Sequence, residues 1–376
     1  MSRGPRRYQA VAAVLVAIVI AGITMRFTAP PVRAHAHDNP GPVQVGTSFS
    51  PVRAEQLGLD WKASYSRLLT MNFKVIRLGI YWDQVAQDGY ADTDWLVEQS
   101  RQAGQPIVLT VGIKSLGWPE YFAPAGLGPF AKPGADVSED PVLRAQALDF
   151  IGATVSRYHD APGLVAWQIE NEPLNRAGPQ RWWIGDAFVA QELKVARAAA
   201  GGKPLVLNAF THFNRGMDMA SSSHGFDLGA LLGFDGSKVE KRSLDLLQPG
   251  DILGLDVYTR IAYKSGDHVQ VSPADPDWDD NVAHWEGEAQ KQRKGAWVTE
   301  AQAEPWEADP STLDNPLSIG PADVAATFGA LKQAGAGTVL LWGSEYWLLR
   351  SQQGDQRWLE TVSAILAQEA KAPAVV

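Results

Sequence analysis

Leu164-Val-Ala-Trp-Gln-Ile-Glu-Asn-Glu-Pro173 is the stretch that most strongly indicates the fold. Residues 164–169 predict a buried strand, and Pro173 prevents the strand from continuing because it has no backbone N–H. Between them lie Glu170, Asn171 and Glu172, although acidic groups at the end of a buried strand lose much of their hydration. In a β/α barrel the carboxyl ends of the strands carry the chemistry. The stretch therefore predicts a functional site at its acidic end.

Seven further apolar segments alternate with amphipathic helical patterns. The eight predicted strands are 43–49, 74–80, 106–112, 164–169, 204–209, 252–257, 296–299 and 338–342, and helices are predicted near 57–69, 94–103, 141–158, 186–199, 282–292, 321–334 and 356–367. Strands that are apolar throughout and alternate with amphipathic helices indicate a parallel sheet covered on both faces. Eight such units predict an α/β fold, a single (β/α)8 TIM barrel with long βα loops. An open doubly wound sheet would favour a GxGxxG turn after the first strand, which the sequence lacks.

The N-terminal segment differs in composition from the body of the 376-residue chain. Residues 1–36 contain five arginines and no acidic residue, and an apolar run at 10–23 precedes Ala34-His-Ala36. This pattern predicts a secretory signal peptide. Because the cleavage pattern lies far downstream, an uncleaved membrane anchor over residues 10–25 is the alternative, and either places the body outside the cytoplasm. Residues 37–42 are predicted to be a linker, and residues 43–376 a single (β/α)8 barrel domain.

The charge and residue types of the body exclude several functions. Without the five N-terminal arginines, 28 basic and 42 acidic residues give a net charge of −14, which argues against nucleic acid and anionic membrane surfaces as partners. The absence of cysteine excludes disulfides and thiolate metal sites. Seven scattered histidines argue against a metal-dependent barrel hydrolase, so no cofactor or metal is predicted. The acidic run 275–280 is interpreted as a solvated loop rather than a calcium site.

Long connections rich in aromatic residues follow four of the strands. They cover residues 112–140, 173–185, 259–280 and 301–320 and include Trp118, Trp182 and Trp306. Aromatic loops of this length on one face of a barrel favour the walls of a cleft, with ordinary loop packing as the alternative. The 14 tryptophans fit sugar binding, because a flat indole ring can cover the C–H face of a pyranose.

A second carboxylate, in Trp297-Val-Thr-Glu-Ala301, ends the seventh predicted strand. Glu300 and Glu172 are thereby predicted to share one rim of the barrel. Two carboxyls about 5–5.5 Å apart would make a retaining glycosidase, and about 6.5–9.5 Å would mean inversion. The sequence does not give their separation.

Two motifs together resemble clan A of the glycoside hydrolases, the superfamily of cellulase, mannanase and β-galactosidase barrels. They are Trp167-Gln-Ile-Glu-Asn-Glu-Pro173 and Trp297-Val-Thr-Glu300. The resemblance implies that Glu172 is the acid/base and Glu300 the nucleophile of a retaining β-glycosidase. The long aromatic loops favour an oligo- or polysaccharide substrate over a simple disaccharide. Strand alternation alone does not choose between Glu170 and Glu172, whereas the family pattern selects Glu172.

The resemblance implies substrate-binding roles for four further residues of the strand ends. Arg77 would lie beside the nucleophile and keep it ionised, Asn171 would bond the 2-hydroxyl of the sugar, Tyr258 would touch the nucleophile, and Trp342 would form the floor of the first sugar subsite. The alternatives are a surface salt bridge for Arg77, a turn residue for Asn171, and core packing for Tyr258 and Trp342.

Three loop residues complete the predicted substrate site. Trp118 and Trp182 are expected in the cleft walls. Many clan A members place a histidine or asparagine after the third strand, where this chain has Gly112-Ile-Lys-Ser115. His212, after the fifth strand, is a candidate for that role, and an ordinary surface histidine is the alternative. Two other functions stay open: a barrel that binds glycans without cleaving them, and a transglycosylase that uses the same residues.

Overall fold

A computed structural model describes residues 41–127, 132–211, 239–265, 267–309 and 312–371. The predicted signal or anchor at 1–36, most of the linker at 37–42, and His212 lie outside these ranges. Within them, no helix combines the length and apolar character needed to cross a membrane.

Eight parallel strands close into a barrel, in the order β1-β10-β9-β6-β5-β4-β3-β2. The strands are β1 (Gln44–Phe49), β2 (Ile76–Gly79), β3 (Ile107–Val111), β4 (Leu164–Ile169), β5 (Leu205–Phe210), β6 (Ile252–Val257), β7 (Arg260–Ser265), β8 (His268–Pro273), β9 (Gly295–Gln302) and β10 (Thr338–Trp342). The barrel and all eight predicted strands are confirmed. Strands β7 and β8 form a separate antiparallel hairpin after β6, where the sequence predicted a long connection without strands.

Helices cover the outside of the barrel. They are Pro51–Gln56, Trp61–Leu68, Trp82–Asp88, Ala91–Ala103, Pro141–Tyr158, Asp186–Ala199, Val239–Leu246, Trp278–Lys291, Pro321–Ala334, Ser344–Gln352 and Arg357–Lys371. The helix predicted near 57–69 is present but begins later, at Trp61, because Gly58 has a φ of 75° and Asp60 caps the helix by accepting hydrogen bonds from the backbone N–H groups of Lys62 and Ala63.

The acidic run at 275–280 is only partly a loop. Asp279 and Asp280 lie in the first turn of the helix Trp278–Lys291. Carboxylates in the first turn interact favourably with the positive end of the helix dipole, so these two residues stabilise the start of the helix.

The inside of the barrel changes from apolar to polar along the strands. Its lower layer is Val75, Val108, Ala166, Val206, Ile252 and Leu340. Two residues further along, where side chains face the same side of a strand again, the interior carries Arg77, Thr110, Gln168 and Asn208, all fully buried. Buried polar groups need hydrogen-bonding partners, and Arg77, Gln168 and Asn208 supply them to the groups above this layer.

A register shift between β6 and β9 aligns two acidic residues. Leu255 pairs with Val298, but the next residue, Asp256, pairs with Glu300, so that β9 has one extra residue, Thr299. Such a bulge re-aims the side chains that follow it. In this barrel it places the carboxyls of Asp256 and Glu300 side by side at the carboxyl end of the strands.

Candidate active site

The end of β4 leaves the extended conformation twice. Glu170 has a φ of 61° and Glu172 a φ of 47°, values that cost a non-glycine residue about 1–2 kcal/mol each. Strained residues of this kind persist only where the surroundings fix them. The backbone N–H of Glu172 donates to Asn208 Oδ1 at 2.8 Å, and its carbonyl accepts from Lys114 Nζ at 2.8 Å.

Glu170 is a structural residue that fixes the end of β3. Its two carboxylate oxygens accept from the backbone N–H groups of Ile113 and Lys114, each at 2.6 Å. A Cβ at Gly112 would lie 2.2 Å from the carboxyl carbon of Glu170, so only glycine allows this approach. Because Glu170 is committed to these contacts, Glu172 is the carboxyl of this pair that is left for the mouth of the barrel.

Glu300 is almost fully buried and is held by two charged or polar side chains. Arg77 Nη2 donates to Glu300 Oε1 at 2.7 Å, and the Tyr258 hydroxyl donates to Oε2 at 2.6 Å. Both bonds are charge-assisted and stabilise the carboxylate form. Arg77 is itself fully buried, which excludes a surface salt bridge. Burial and the charge of Glu300 raise the pKa of Tyr258 well above its ordinary value, so the hydroxyl stays a donor.

A third carboxyl, that of Asp256, joins Glu172 and Glu300. One oxygen from each of the three lies within 4.8 Å of the others. Burial and then the charge of Glu300 raise the pKa of Glu172 to about 8. Burial, followed by the charges of Glu300 and Glu172, raises the pKa of Asp256 well above its ordinary value. The site therefore contains one carboxylate that is stabilised as an anion, beside two carboxyls, those of Glu172 and Asp256, whose proton affinity is raised.

Three carboxyls at this separation are a possible geometry for a cation, but their other contacts do not suit one. Glu300 is already paired with the Arg77 guanidinium. Each oxygen of Asp256 accepts a short hydrogen bond, from Thr299 Oγ1 at 2.6 Å and from Asn208 Nδ2 at 2.6 Å. These donors occupy one lone pair on each oxygen, and a guanidinium already lies against Glu300, so the arrangement fits proton sharing better than metal binding.

An amide network lies under the carboxyls and fixes Asn171. Asn171 Oδ1 accepts from Asn208 Nδ2 at 2.9 Å and from Gln168 Nε2 at 3.1 Å. Gln168 in turn accepts from Arg77 Nη1 at 3.0 Å. Because its oxygen accepts both of these bonds, the amide nitrogen is the group of Asn171 that could donate to a ligand. A simple turn role does not explain this network.

Trp342 lies at the end of β10 beside the same group. The Arg77 guanidinium sits 5.7 Å from the centre of its ring, and the ring Nε1 donates to Glu304 Oε1 at 3.1 Å. Glu304 also pairs with Arg53, at 3.3 Å between Oε2 and Nη2. The ring is only partly buried, so one part of it can face a ligand.

The other predicted aromatic residues are not brought to the carboxyls. Trp118 is 54% exposed, and its backbone carbonyl accepts from Gln56 Nε2. Trp182 packs edge-on against Tyr121, with ring centres 5.5 Å apart, and Lys114 Nζ lies 5.5 Å from the centre of the Tyr121 ring. This chain of contacts from Trp182 to Glu172 runs through Tyr121 and Lys114.

The sequence interpretation missed several residues of the site: Asp256, Asn208, Gln168, Thr299 and Lys114. Trp306 is 43% exposed and meets Tyr258 edge-on at 4.9 Å between ring centres, close to Glu300. A signal for Asp256 and Asn208 was present, because each is a polar residue near the end of an otherwise apolar strand. Asp256 also lies two residues before Tyr258, on the same face of β6.

Comparison with known proteins supports the fold. No family model and no curated protein matches the chain. The GH5_18 enzyme of Streptomyces cattleya, solved in complex with GlcNAc, is similar to it with a TM-score of 0.55 at 11% identity, over 90% of this chain and 83% of that one. A cold-adapted β-galactosidase from Rahnella sp. R3 gives 0.52 at 14% identity over 90% of this chain, which spans 57% of the β-galactosidase. The virulence factor SghA, solved with the substrate analogue salicin, gives 0.51 at 12% identity, over 88% and 96% of the two chains. These similarities show the shared barrel, which is the fold expected from the resemblance to clan A.

Proposed function

We propose that this protein is a retaining β-glycosidase in which Glu172 is the acid/base and Glu300 the nucleophile. The observation that carries the proposal is the pair of unlike carboxyls at the barrel mouth. Arg77 and Tyr258 hold Glu300 as an anion, whereas burial and the charge of Glu300 keep Glu172 protonated. Two carboxyls whose surroundings favour opposite protonation states are suited to opposite roles, one as the nucleophile and the other as the acid.

The separation of the two carboxyls supports retention rather than inversion. An oxygen of Glu172 lies within 4.8 Å of one of Glu300, which agrees with about 5–5.5 Å for retaining enzymes. Inverting enzymes need about 6.5–9.5 Å, because a water molecule must fit between sugar and base.

The proposed reaction has two displacements. Glu172 gives its proton to the glycosidic oxygen while Glu300 attacks the anomeric carbon, so that the bond to the leaving group breaks as the glycosyl–enzyme ester forms. Glu172, now ionised, takes a proton from water, whose oxygen displaces Glu300 and releases the sugar. Asn171 would bond the 2-hydroxyl, and Trp342 would form the floor of the first subsite.

The proposed substrate is a β-linked oligo- or polysaccharide. The supporting observations are the exposed loop aromatics, with Trp118 and Trp182 as proposed contacts further from the cleavage point. The solved barrels similar to this chain include a β-galactosidase and enzymes bound to GlcNAc and to salicin. We therefore propose β-galactosides, β-glucosides and β-N-acetylglucosaminides as the first sugars to test. An extracytoplasmic location, by a signal peptide or a membrane tether, is part of the proposal.

The direct test is hydrolysis of a panel of β-linked polysaccharides and aryl glycosides of these three sugars. Glu300→Gln removes the nucleophile, and Glu360→Gln, at an exposed glutamate of the last helix, is the matched control. We expect turnover by the wild type and the control and none by Glu300→Gln. Glycan binding without turnover by any of the three would favour a non-catalytic barrel. Transfer to an added sugar acceptor, in place of hydrolysis, would identify a transglycosylase.

A further inference from the structure

We propose that Asp256 is a positioning residue that shares a single proton with Glu172, so that Glu172 is kept in its acid form until the leaving group takes the proton. The inference deepens the proposed function and depends on it only where catalytic rates are measured. It concerns a residue beyond the two carboxylates that the double displacement requires.

The geometry around Asp256 is that of a built carboxylate site. The side chain is fully buried, with an oxygen within 4.8 Å of oxygens of both Glu172 and Glu300. Its two donors, Thr299 Oγ1 and Asn208 Nδ2, each lie at 2.6 Å. Both are neutral, so they stabilise a charge on Asp256 without cancelling it.

The charged groups that face the pair from neighbouring strands leave it without a counter-ion of its own. Arg77, from β2, is used by Glu300 at 2.7 Å. Lys114, after β3, bonds the backbone carbonyl of Glu172 and pairs with Glu120 at 3.3 Å. Tyr258, which follows β6, donates to Glu300. Glu120 and Tyr121, in the loop after β3, also interact with the charge of Glu172.

Two carboxyls this close, buried and without a cation between them, do not both ionise, because like charges raise the proton affinity of the pair. The hydrogen bonds decide where the proton stays. Both oxygens of Asp256 accept from neutral donors, which favours its ionised form. The Glu172 carboxyl makes a side-chain hydrogen bond to Asp256. Because both Asp256 oxygens already accept from Thr299 and Asn208, Glu172 is the better place for the shared proton.

This arrangement would help both steps of the proposed reaction. Before the first step, the negative charge on Asp256 holds the proton on Glu172. After Glu172 has given that proton to the leaving group, two negative charges face each other. Their repulsion makes Glu172 a stronger base toward the incoming water, which restores the shared proton.

The kinetic test is the pH dependence of kcat/KM for Asp256→Asn. In the wild type we expect kcat/KM to fall as pH rises through about 8, where Glu172 loses its proton. The asparagine removes the like charge, so this alkaline limb should move toward acid by about one pH unit or more. Asp251→Asn is the matched control, since Asp251 is a buried aspartate at the opposite end of the same strand. A lower rate with an unmoved limb would mean that Asp256 is merely structural and would overturn the inference.

A second test needs no catalysis. In protein labelled with carbon-13 at the Asp and Glu carboxyls, we expect the wild-type pair to titrate in two widely separated steps. In Asp256→Asn, Glu172 should titrate in one step at lower pH. In Thr299→Val, which removes a donor from Asp256, the proton should move toward Asp256. Two independent titrations near ordinary values would overturn the shared proton. If the two carboxyls titrate together but the protein hydrolyses no glycoside, the shared proton between Asp256 and Glu172 would stand and the proposed glycosidase function would be refuted.

Discussion

The buried pair of Arg77 and Glu300 allows a test of the site through stability alone. Arg77 donates to Glu300, to Gln168 and to Ser48 Oγ at 2.9 Å, and it is fully buried. Arg77→Met keeps most of the volume but leaves the Glu300 carboxylate buried beside two other carboxyls. Breaking a buried pair from one side costs about 3–5 kcal/mol. We expect a loss of this size in the free energy of unfolding.

The reverse truncation should cost far less. Glu300→Gln keeps an oxygen that can accept from Arg77 and removes the negative charge from one of the three crowded carboxyl groups. Its expected cost is no more than about 1 kcal/mol, the net value of an ordinary hydrogen bond. In the double variant the loss of Arg77 no longer leaves an unpaired anion, because Glu300 is already replaced by Gln. The losses in the free energy of unfolding of the two single variants should therefore not add, and we expect a coupling energy of about 1–3 kcal/mol between the two positions.

The assay is urea unfolding followed by tryptophan fluorescence at neutral pH, for the wild type, both single variants and the double variant. Ser48→Ala, which removes a neutral partner of Arg77, is the matched control and should cost about 1 kcal/mol. If Arg77→Met lost less than about 1 kcal/mol, or if the two single effects added, then Arg77 would not be what stabilises the Glu300 anion.

Three further predictions concern single positions. Glu172→Ala should lose most activity and recover it with azide on an activated aryl glycoside, giving a β-glycosyl azide; recovery without that product would argue against the acid/base role. Tyr258→Phe removes a charge-assisted hydrogen bond to Glu300 and should lower kcat/KM about 10- to 100-fold, mainly through kcat; an unchanged kcat would show that the contact is not catalytic. Gly112→Ala places a methyl group against Glu170 and should lower the free energy of unfolding by about 1–3 kcal/mol. An unchanged midpoint of thermal unfolding would contradict this prediction.

The barrel was predictable because each of its strands is apolar and each is followed by a helical pattern. Local details that depend on single residues were not. The break at Gly58 lies inside an apolar pattern that continues through it, and the hairpin β7–β8 is too polar and exposed to resemble a barrel strand. Neither element changes where the barrel strands end.

The site was predictable only in part because two backbone irregularities change which way side chains point. Strand alternation assumes an extended backbone, and Glu170 and Glu172 both leave it. The extra residue at Thr299 likewise shifts Glu300 into line with Asp256. Apolar strand patterns do not report a bulge or a positive φ. This is why the motif identified Glu172 and Glu300 while the third carboxyl went unnoticed.

The most direct test of the central claim is mass spectrometry of the protein after reaction with an activated 2-deoxy-2-fluoro β-glycoside of the sugar that the panel identifies. The fluorine slows the second displacement, so a retaining enzyme accumulates its glycosyl–enzyme ester. The account predicts one added glycosyl group per chain, located on the peptide that contains Glu300 and absent in Glu300→Gln. An adduct on another residue, or turnover of the parent glycoside with inverted configuration at the anomeric carbon, would contradict it.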